Sequence, residues 1–246
     1  MPALDWLIAR PIAHRGLHGD GAVENTATAF ARAIAGGYAI ECDLQVSADG
    51  EAMVHHDDAL GRLTEGSGTL ADMSAAELKK VRFKQGNDRI LTLGELCELV
   101  DGRATLVLEL KSHFDGDRQL VERVASALAA YRGPAAAMSF DPAMIELVRY
   151  IAPKLTRGIV AERHYAHHEW DRMPKAQKRR LAFLLHAPRT RPQFVAYGVR
   201  DLPALAPLVA RRLFGLPLLT WTVRTDADRT RAARWADQMI FEGWRP

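Results

Sequence analysis

Short apolar runs alternate along the chain with stretches whose apolar residues recur at helical spacing, a rhythm that predicts strands and helices in turn. A buried strand is predicted over residues 8–14, ending in His14-Arg15-Gly16, then a glycine-rich turn through Gly21 and a helix over about 25–35 closed by Gly36-Gly37. Residues 38–46 read as the next strand, Ala48-Asp49-Gly50 as a turn, and 51–57 as a further strand with a polar end. From Asp58 to Leu93 the rhythm breaks. Residues 60–68 have loop composition and 73–83 read as a short amphipathic helix, so an insertion at about 58–93 on a strand-to-helix loop is expected rather than a separate domain.

Thr92-Leu93-Gly94-Glu95 has the spacing of a capping box and predicts a helix through about Val100. Residues 105–111 are a nearly continuous apolar run broken by one Glu and one Lys, as in a strand buried on both faces. Strands then follow at 135–139, 155–160, 193–197, 217–223 and 238–242. Between them fall helices at 117–131, 142–151, 203–214 and 226–235, with a basic, helical stretch at 164–187. Eight strands alternating with helices predict one α/β domain over residues 1–246, a single (β/α)8 TIM barrel with a short insertion after the second strand unit. An open, doubly wound sheet is the alternative, but no Gly-x-Gly-x-x-Gly follows the first strand.

Composition changes this picture little. At 48% hydrophobic and 26% charged residues, the chain suits a soluble globular domain and excludes a disordered or fibrous one. Residues 1–10 carry Asp5 and lack a basic n-region, so a secretory signal is not expected. Cys42 and Cys97 show no metal-ligand spacing, and two buried thiols in a reducing cytoplasm are expected rather than a disulfide. Net charge is +3, with arginines concentrated in 163–191 and 200–234. Acids are mixed among them and no aromatic series accompanies them, so solvated helix faces are expected, with no nucleic-acid partner and no stable membrane insertion. No feature of the pattern sets an oligomeric state.

The candidate chemistry begins in the strand over 38–46. Side chains alternate faces along a strand, so Glu41 and Asp43 share one face while Ile40, Cys42 and Leu44 take the other. Two carboxylates on a partly buried face raise at least one pKa unless a cation neutralises them, and hard ions such as Mg2+ or Ca2+ take carboxylate oxygens. An edge strand with a solvated acidic face accounts for these two residues equally well. The other strand ends decide between the readings, because barrels of this kind place their chemistry there. His14, Arg15, His56, Glu109 and Lys111 all fall at predicted strand ends. The full set suits attack on a phosphodiester: Glu41, Asp43 and Glu109 to hold the cation, Arg15 and Lys111 to offset phosphate charge, His14 and His56 as base and acid. His55, adjacent to His56, is expected to pack behind the site. Any one of these residues alone is more often structural; it is their coincidence that carries the reading.

Taken in order, the chain shows Ile12-Ala13-His14-Arg15-Gly16, Glu24-Asn25-Thr26, Ala29-Phe30 with Ala33, Ile40-Glu41-Cys42-Asp43-Leu44 and Asp49-Gly50. Val54-His55-His56-Asp57, Leu60-Gly61-Arg62, Thr92-Leu93, Leu108-Glu109-Leu110-Lys111, Ser139-Phe140 and Trp221-Thr222-Val223 continue the series. Together these resemble the glycerophosphodiester phosphodiesterase family across nearly the whole chain. The resemblance implies one divalent metal ion, Mg2+ or Ca2+, on Glu41, Asp43 and Glu109, acid/base work by His14 and His56, phosphate contacts from Arg15 and Lys111, and Trp221 lining the pocket for the alcohol. It implies hydrolysis of a small-molecule phosphodiester, such as glycerophosphocholine or glycerophosphoethanolamine, to glycerol 3-phosphate and an alcohol. Attack by the glycerol hydroxyl through a cyclic phosphate and direct attack by water both fit.

Two departures stand out. Family members often end the eighth strand with Thr-Asp before a proline, where this chain has Phe241-Glu242-Gly243-Trp244-Arg245-Pro246, and Pro-Glu-Asn-Thr appears as Val23-Glu24-Asn25-Thr26. Neither touches the expected metal ligands, so substrate fit is where they would show. One alternative is a lysophospholipase D or phospholipase C-like hydrolase of lipid headgroups, with the basic 163–191 region on a membrane. Another is a barrel that binds phosphodiesters without turnover. The metal amidohydrolases of the same fold normally need His-x-His on the first strand, which here ends in His14-Arg15-Gly16.

Overall fold

The computed structural model of the chain describes residues 4–167 and 170–246. The first three residues of the N-terminal stretch, and His168 and Glu169 of the basic one, lie outside the described residues. The first half of the chain runs α1 (Asp5–Ile8), β1 (Ile12–Ala13), α2 (Ala27–Ala35), β2 (Ala39–Val46), β3 (Ala52–Val54), α3 (Ala75–Leu78), β4 (Leu91–Thr92), α4 (Leu93–Val100), β5 (Leu106–Leu110) and α5 (Gln119–Leu128). The second half continues with β6 (Ala135–Ser139), α6 (Pro142–Ile151), β7 (Thr156–Ala161), α7 (Lys175–Ala182), α8 (Ala187–Thr190), β8 (Phe194–Gly198), α9 (Leu205–Phe214), β9 (Leu218–Val223), α10 (Asp226–Trp235) and β10 (Gln238–Phe241).

β1, β2 and β5 to β10 pair in parallel, and β1 bonds both β2 and β10, so eight strands close into a barrel. β3 pairs antiparallel with β2, and β4 antiparallel with β3, as a hairpin arm outside the closure. Strand alternation divides the apolar residues between two layers. Ala39, Val107, Met138, Phe194, Leu219 and Ile240 fill the barrel, whereas Ile40, Cys42, Leu44, Leu106 and Leu108 meet the helices. Glu41, Asp43 and Glu109 have the parity of Ala39 and Val107, so the backbone aims them inward.

Three expectations change. Ile8 belongs to α1 rather than to the first strand, because α1 folds Leu7 against Ile12 and Ala39 at the barrel's N-terminal end. The helix expected over 73–83 shrinks to α3, capped by Ser74 and Glu77. The surrounding chain instead wraps a cluster of its own, made of Met53, Leu60, Leu70, Leu78, Phe83 and Ile90. In the basic stretch only α7 and α8 are helical; Pro174 opens α7, and the chain before it carries Trp170 toward the barrel mouth. The capping box of α4 is present, with Thr92 Oγ1 accepting from Glu95 N–H and Glu95 Oε2 accepting from Thr92 N–H at 2.9 Å.

Cys42 and Cys97 are free, buried thiols in the layer between barrel and helices, and burial pushes Cys97 up to about 11. Among the described residues no helix is long and apolar enough to cross a membrane.

His186, before α8, is 7% exposed, and neither ring nitrogen has a partner among the described residues. Burial, aided by the charges of Arg189 and Arg180, holds its pKa down to about 4 against an ordinary 6.5. The unfolded chain therefore takes up this proton first. The resulting penalty is absent above about pH 7 and grows as pH falls through 6.5 toward 4. Replacing His186 by Leu is expected to recover roughly 2–3 kcal/mol of stability at pH 4–5 and little at pH 7.5, read by urea unfolding at both pH values.

Candidate active site

The parallel register of β2 and β5 sets Glu109 beside Asp43, and the two-residue period of β2 sets Glu41 on the same inner face. One carboxylate oxygen from each of Glu41, Asp43 and Glu109 lies within 4.8 Å of the others. Glu41 and Asp43 are 1% exposed and Glu109 9%. Burial, with the charges of Asp43 and Glu109, raises Glu41 well above the usual carboxylate range. Burial would raise Asp43 too, but the adjacent Lys111 and Arg15 more than offset it and hold Asp43 well below that range.

Those two cations are already engaged with carboxylates. Lys111 Nζ lies 2.9 Å from Asp43 Oδ1 and 2.6 Å from Glu109 Oε1. Arg15 Nε lies 3.0 Å from Asp43 Oδ2 as an ion pair without hydrogen-bond alignment, and Nη1 donates to Glu24 Oε1 at 2.8 Å. Glu41 Oε2 accepts from Arg15 N–H at 2.9 Å, yet Glu41 Oε1 is buried with no partner among the described residues. A buried oxygen without a donor, beside two further carboxylates, fits a hard divalent cation, whose ligands are carboxylate oxygens.

The turn after β1 is built for this contact. Arg15 sits in the left-handed region at φ 55°, which turns its N–H toward Glu41. Gly16 follows at φ 78°; a Cβ there would lie 2.9 Å from the Ala29 carbonyl carbon, so glycine lets α2 close on the turn. Asn25, at φ 57°, donates from Nδ2 to Asp43 Oδ2 at 2.9 Å and from its own N–H to Arg15 O at 2.9 Å. Thr26 then caps α2.

His14 extends from the end of β1, its Nε2 3.9 Å from Glu41 Oε2 and its Nδ1 2.7 Å from Glu242 Oε2 just past β10. Burial lowers the His14 pKa, partly opposed by the Glu242 bond. Burial would raise Glu242, but His14 and Arg224 hold it well below the usual range. His56 follows β3, with Nδ1 2.9 Å from Asp57 Oδ1, while Arg62 Nε donates to Asp57 Oδ2 at 2.6 Å. His55 is buried. A cavity of about 750 Å3 opens at the mouth, lined by His56, Glu109, Lys111, Phe114, Phe140 and Trp170 among others.

Six of the eight singled-out residues, His14, Arg15, Glu41, Asp43, Glu109 and Lys111, are thus joined by direct contacts. His56 shares the cavity with Glu109 and Lys111. Trp221 packs against Phe140 of the cavity lining, ring centroids 5.4 Å apart, and its indole Nε1 is buried without a partner among the described residues. Reasoning from sequence assigned no role to Glu24, Asn25, Asp57 or Glu242. Glu242 carried a usable signal, since it follows an apolar strand as His14 follows β1. Asn25 and Asp57 fell within the motifs Glu24-Asn25-Thr26 and Val54-His55-His56-Asp57, but their spacing gave neither a role.

A family model described as the Glycerophosphoryl diester phosphodiesterase family matches residues 14–243. A glycerophosphodiester phosphodiesterase from Caldanaerobacter subterraneus subsp. tengcongensis is 34% identical over 159 residues, covering 61% of this chain and 65% of that protein. Glycerophosphodiester phosphodiesterase 1 from Bos taurus is 28% identical over 174 residues, covering 67% and 52%. The matches thus span between half and two thirds of these relatives' lengths. An Oleispira antarctica phosphodiesterase, solved in complex with the product sn-glycerol-3-phosphate, shares the fold at a TM-score of 0.77 and 21% identity, covering 94% of this chain and 91% of that one.

Proposed function

We propose that this chain, which belongs to the glycerophosphoryl diester phosphodiesterase family, hydrolyses small glycerophosphodiesters such as glycerophosphocholine or glycerophosphoethanolamine to glycerol 3-phosphate and an alcohol. The observation that carries the reading is the convergence of a three-carboxylate cluster, containing an unpartnered buried oxygen, with two histidines and two cations at one barrel mouth.

In this reading Glu41, Asp43 and Glu109 hold one divalent ion, Mg2+ or Ca2+. When bound, such an ion supplies Lewis-acid polarisation of a phosphoryl oxygen and of the attacking hydroxyl or water. The protein's own groups do the rest. Glu242, ionised against His14 Nδ1, fixes the proton on that nitrogen and leaves Nε2 as the base directed at the mouth. Asp57 holds His56 Nδ1 in the same way, so acid catalysis by His56 uses the doubly protonated ring, which gives the proton on Nε2 to the leaving alcohol and keeps the one on Nδ1. Lys111 has three donors, two of them committed to Asp43 and Glu109, which leaves one for a phosphoryl oxygen. Arg15 keeps free guanidinium donors for a second oxygen. Two buried free thiols support a cytoplasmic setting.

The aromatic wall of Phe114, Phe140 and Trp170 favours a second reading, in which the alcohol side carries a larger apolar group, as in a lysolipid. A substrate panel tests both. Glycerol 3-phosphate is expected from glycerophosphocholine and glycerophosphoethanolamine at rates at least about tenfold above lysophosphatidylcholine turnover. Turnover of lysolipid alone would select the second reading, and turnover of no diester would leave a binding barrel.

A further inference from the structure

A second set of metal-ligating side chains stands on the other side of His14. One ligand atom from each of His14, His18 and Glu242 lies within 4.8 Å of the other two, and all three residues are half-buried. His18 Nε2 is shielded from solvent and has no hydrogen-bond partner among the described residues. The bonds that His14 and Arg224 make to Glu242 both fall on Oε2. The donor chemistry differs from that of the carboxylate cluster. Three carboxylates suit a hard ion, whereas two imidazoles and one carboxylate form a set that zinc takes, with a fourth position left to water.

We propose that His14, His18 and Glu242 form an inhibitory site for zinc or a similar borderline-soft divalent ion, separate from the carboxylate cluster. Zinc bonds of about 2.0–2.2 Å in a tetrahedron set neighbouring ligand atoms about 3.3 Å apart, so the three side chains close on the ion by rotations of an ångström or so. Arg224, 49% exposed, turns to solvent as the ion takes its place against Glu242.

Inhibition follows from the tautomer, and this step rests on the acid/base role proposed for His14. In the resting site the neutral His14 ring carries its proton on Nδ1, facing Glu242, and its lone pair on Nε2. An ion on Nδ1 moves that proton to Nε2 with no net gain or loss, and a protonated Nε2 accepts nothing from the nucleophile. His18 stands outside the hydrolytic machinery, so it alone separates zinc binding from turnover.

The test titrates zinc chloride into protein held in saturating Mg2+, by calorimetry and by diester turnover, for wild type, His18→Ala and His18→Gln. Both variants are expected to bind zinc at least about tenfold more weakly, and to need at least about tenfold more zinc for half-inhibition. Turnover without zinc should stay within about twofold of wild type. Equal zinc affinity in all three proteins overturns the site, as does inhibition that excess Mg2+ relieves identically with and without His18, since zinc then acts on the carboxylate cluster. The calorimetric arm needs no turnover, so loss of the hydrolase reading and loss of the zinc site give different results.

Discussion

His14→Ala should lower kcat for glycerophosphodiester hydrolysis by roughly 100- to 10,000-fold while leaving the protein folded. The ring contacts an orienting carboxylate, Glu242, with Nδ1, and its Nε2 lies 3.9 Å from Glu41 of the carboxylate cluster. Burial keeps its pKa below the ordinary value, so at neutral pH the ring is unprotonated and competent as a base. Glu242→Gln keeps the side chain's size but replaces the charge that selects the tautomer, so its loss should be smaller and confined to kcat. Circular dichroism checks the fold. If His14→Ala retains wild-type turnover, His14 has no part in proton transfer.

Glu41→Gln should cost roughly 1,000-fold or more in turnover, because several kcal/mol of charge stabilisation go with the ion and each 1.36 kcal/mol is a factor of ten. Its effect on stability has the opposite sign. Burial and the neighbouring carboxylates raise the folded-state pKa of Glu41, so its ionised form is disfavoured at neutral pH when no cation is present. A neutral amide removes that penalty. The metal-free variant should therefore unfold at the wild-type temperature or above it, while the rise in Tm that Mg2+ or Ca2+ gives the wild type should vanish. Thermal scans with and without metal separate the two effects. A variant that loses stability and keeps its metal response would assign Glu41 a structural role.

How much of this was legible in the sequence depended on which kind of order each residue obeys. Strand alternation needs only local backbone, so Glu41, Asp43, Glu109 and Lys111 could be assigned to faces from spacing alone, and Cys42 lies in the outer layer as that alternation requires. The capping box of α4 is equally local. Contacts between distant ends of the chain are not. The bond between His14 and Glu242 joins residues 228 positions apart and exists only because the barrel closes β1 against β10. The sequence showed Glu242 only as a departure from a pattern. Helix length misled over 73–83 for a similar reason: Leu78 and Phe83 answer to a satellite cluster under the hairpin arm rather than to a helical stripe. Arg15 and Lys111 were expected to meet phosphate, and the fold shows what spacing did not, that carboxylates already hold them.

The most direct test measures glycerol 3-phosphate released from glycerophosphocholine by chelator-stripped wild type and Glu41→Gln, before and after single divalent ions are added back. The stripped wild type should be inactive and recover with Mg2+ or Ca2+, and the variant should recover with neither. Undiminished hydrolysis by the stripped wild type, or full recovery by the variant, would contradict a carboxylate-held cation at the centre of this site.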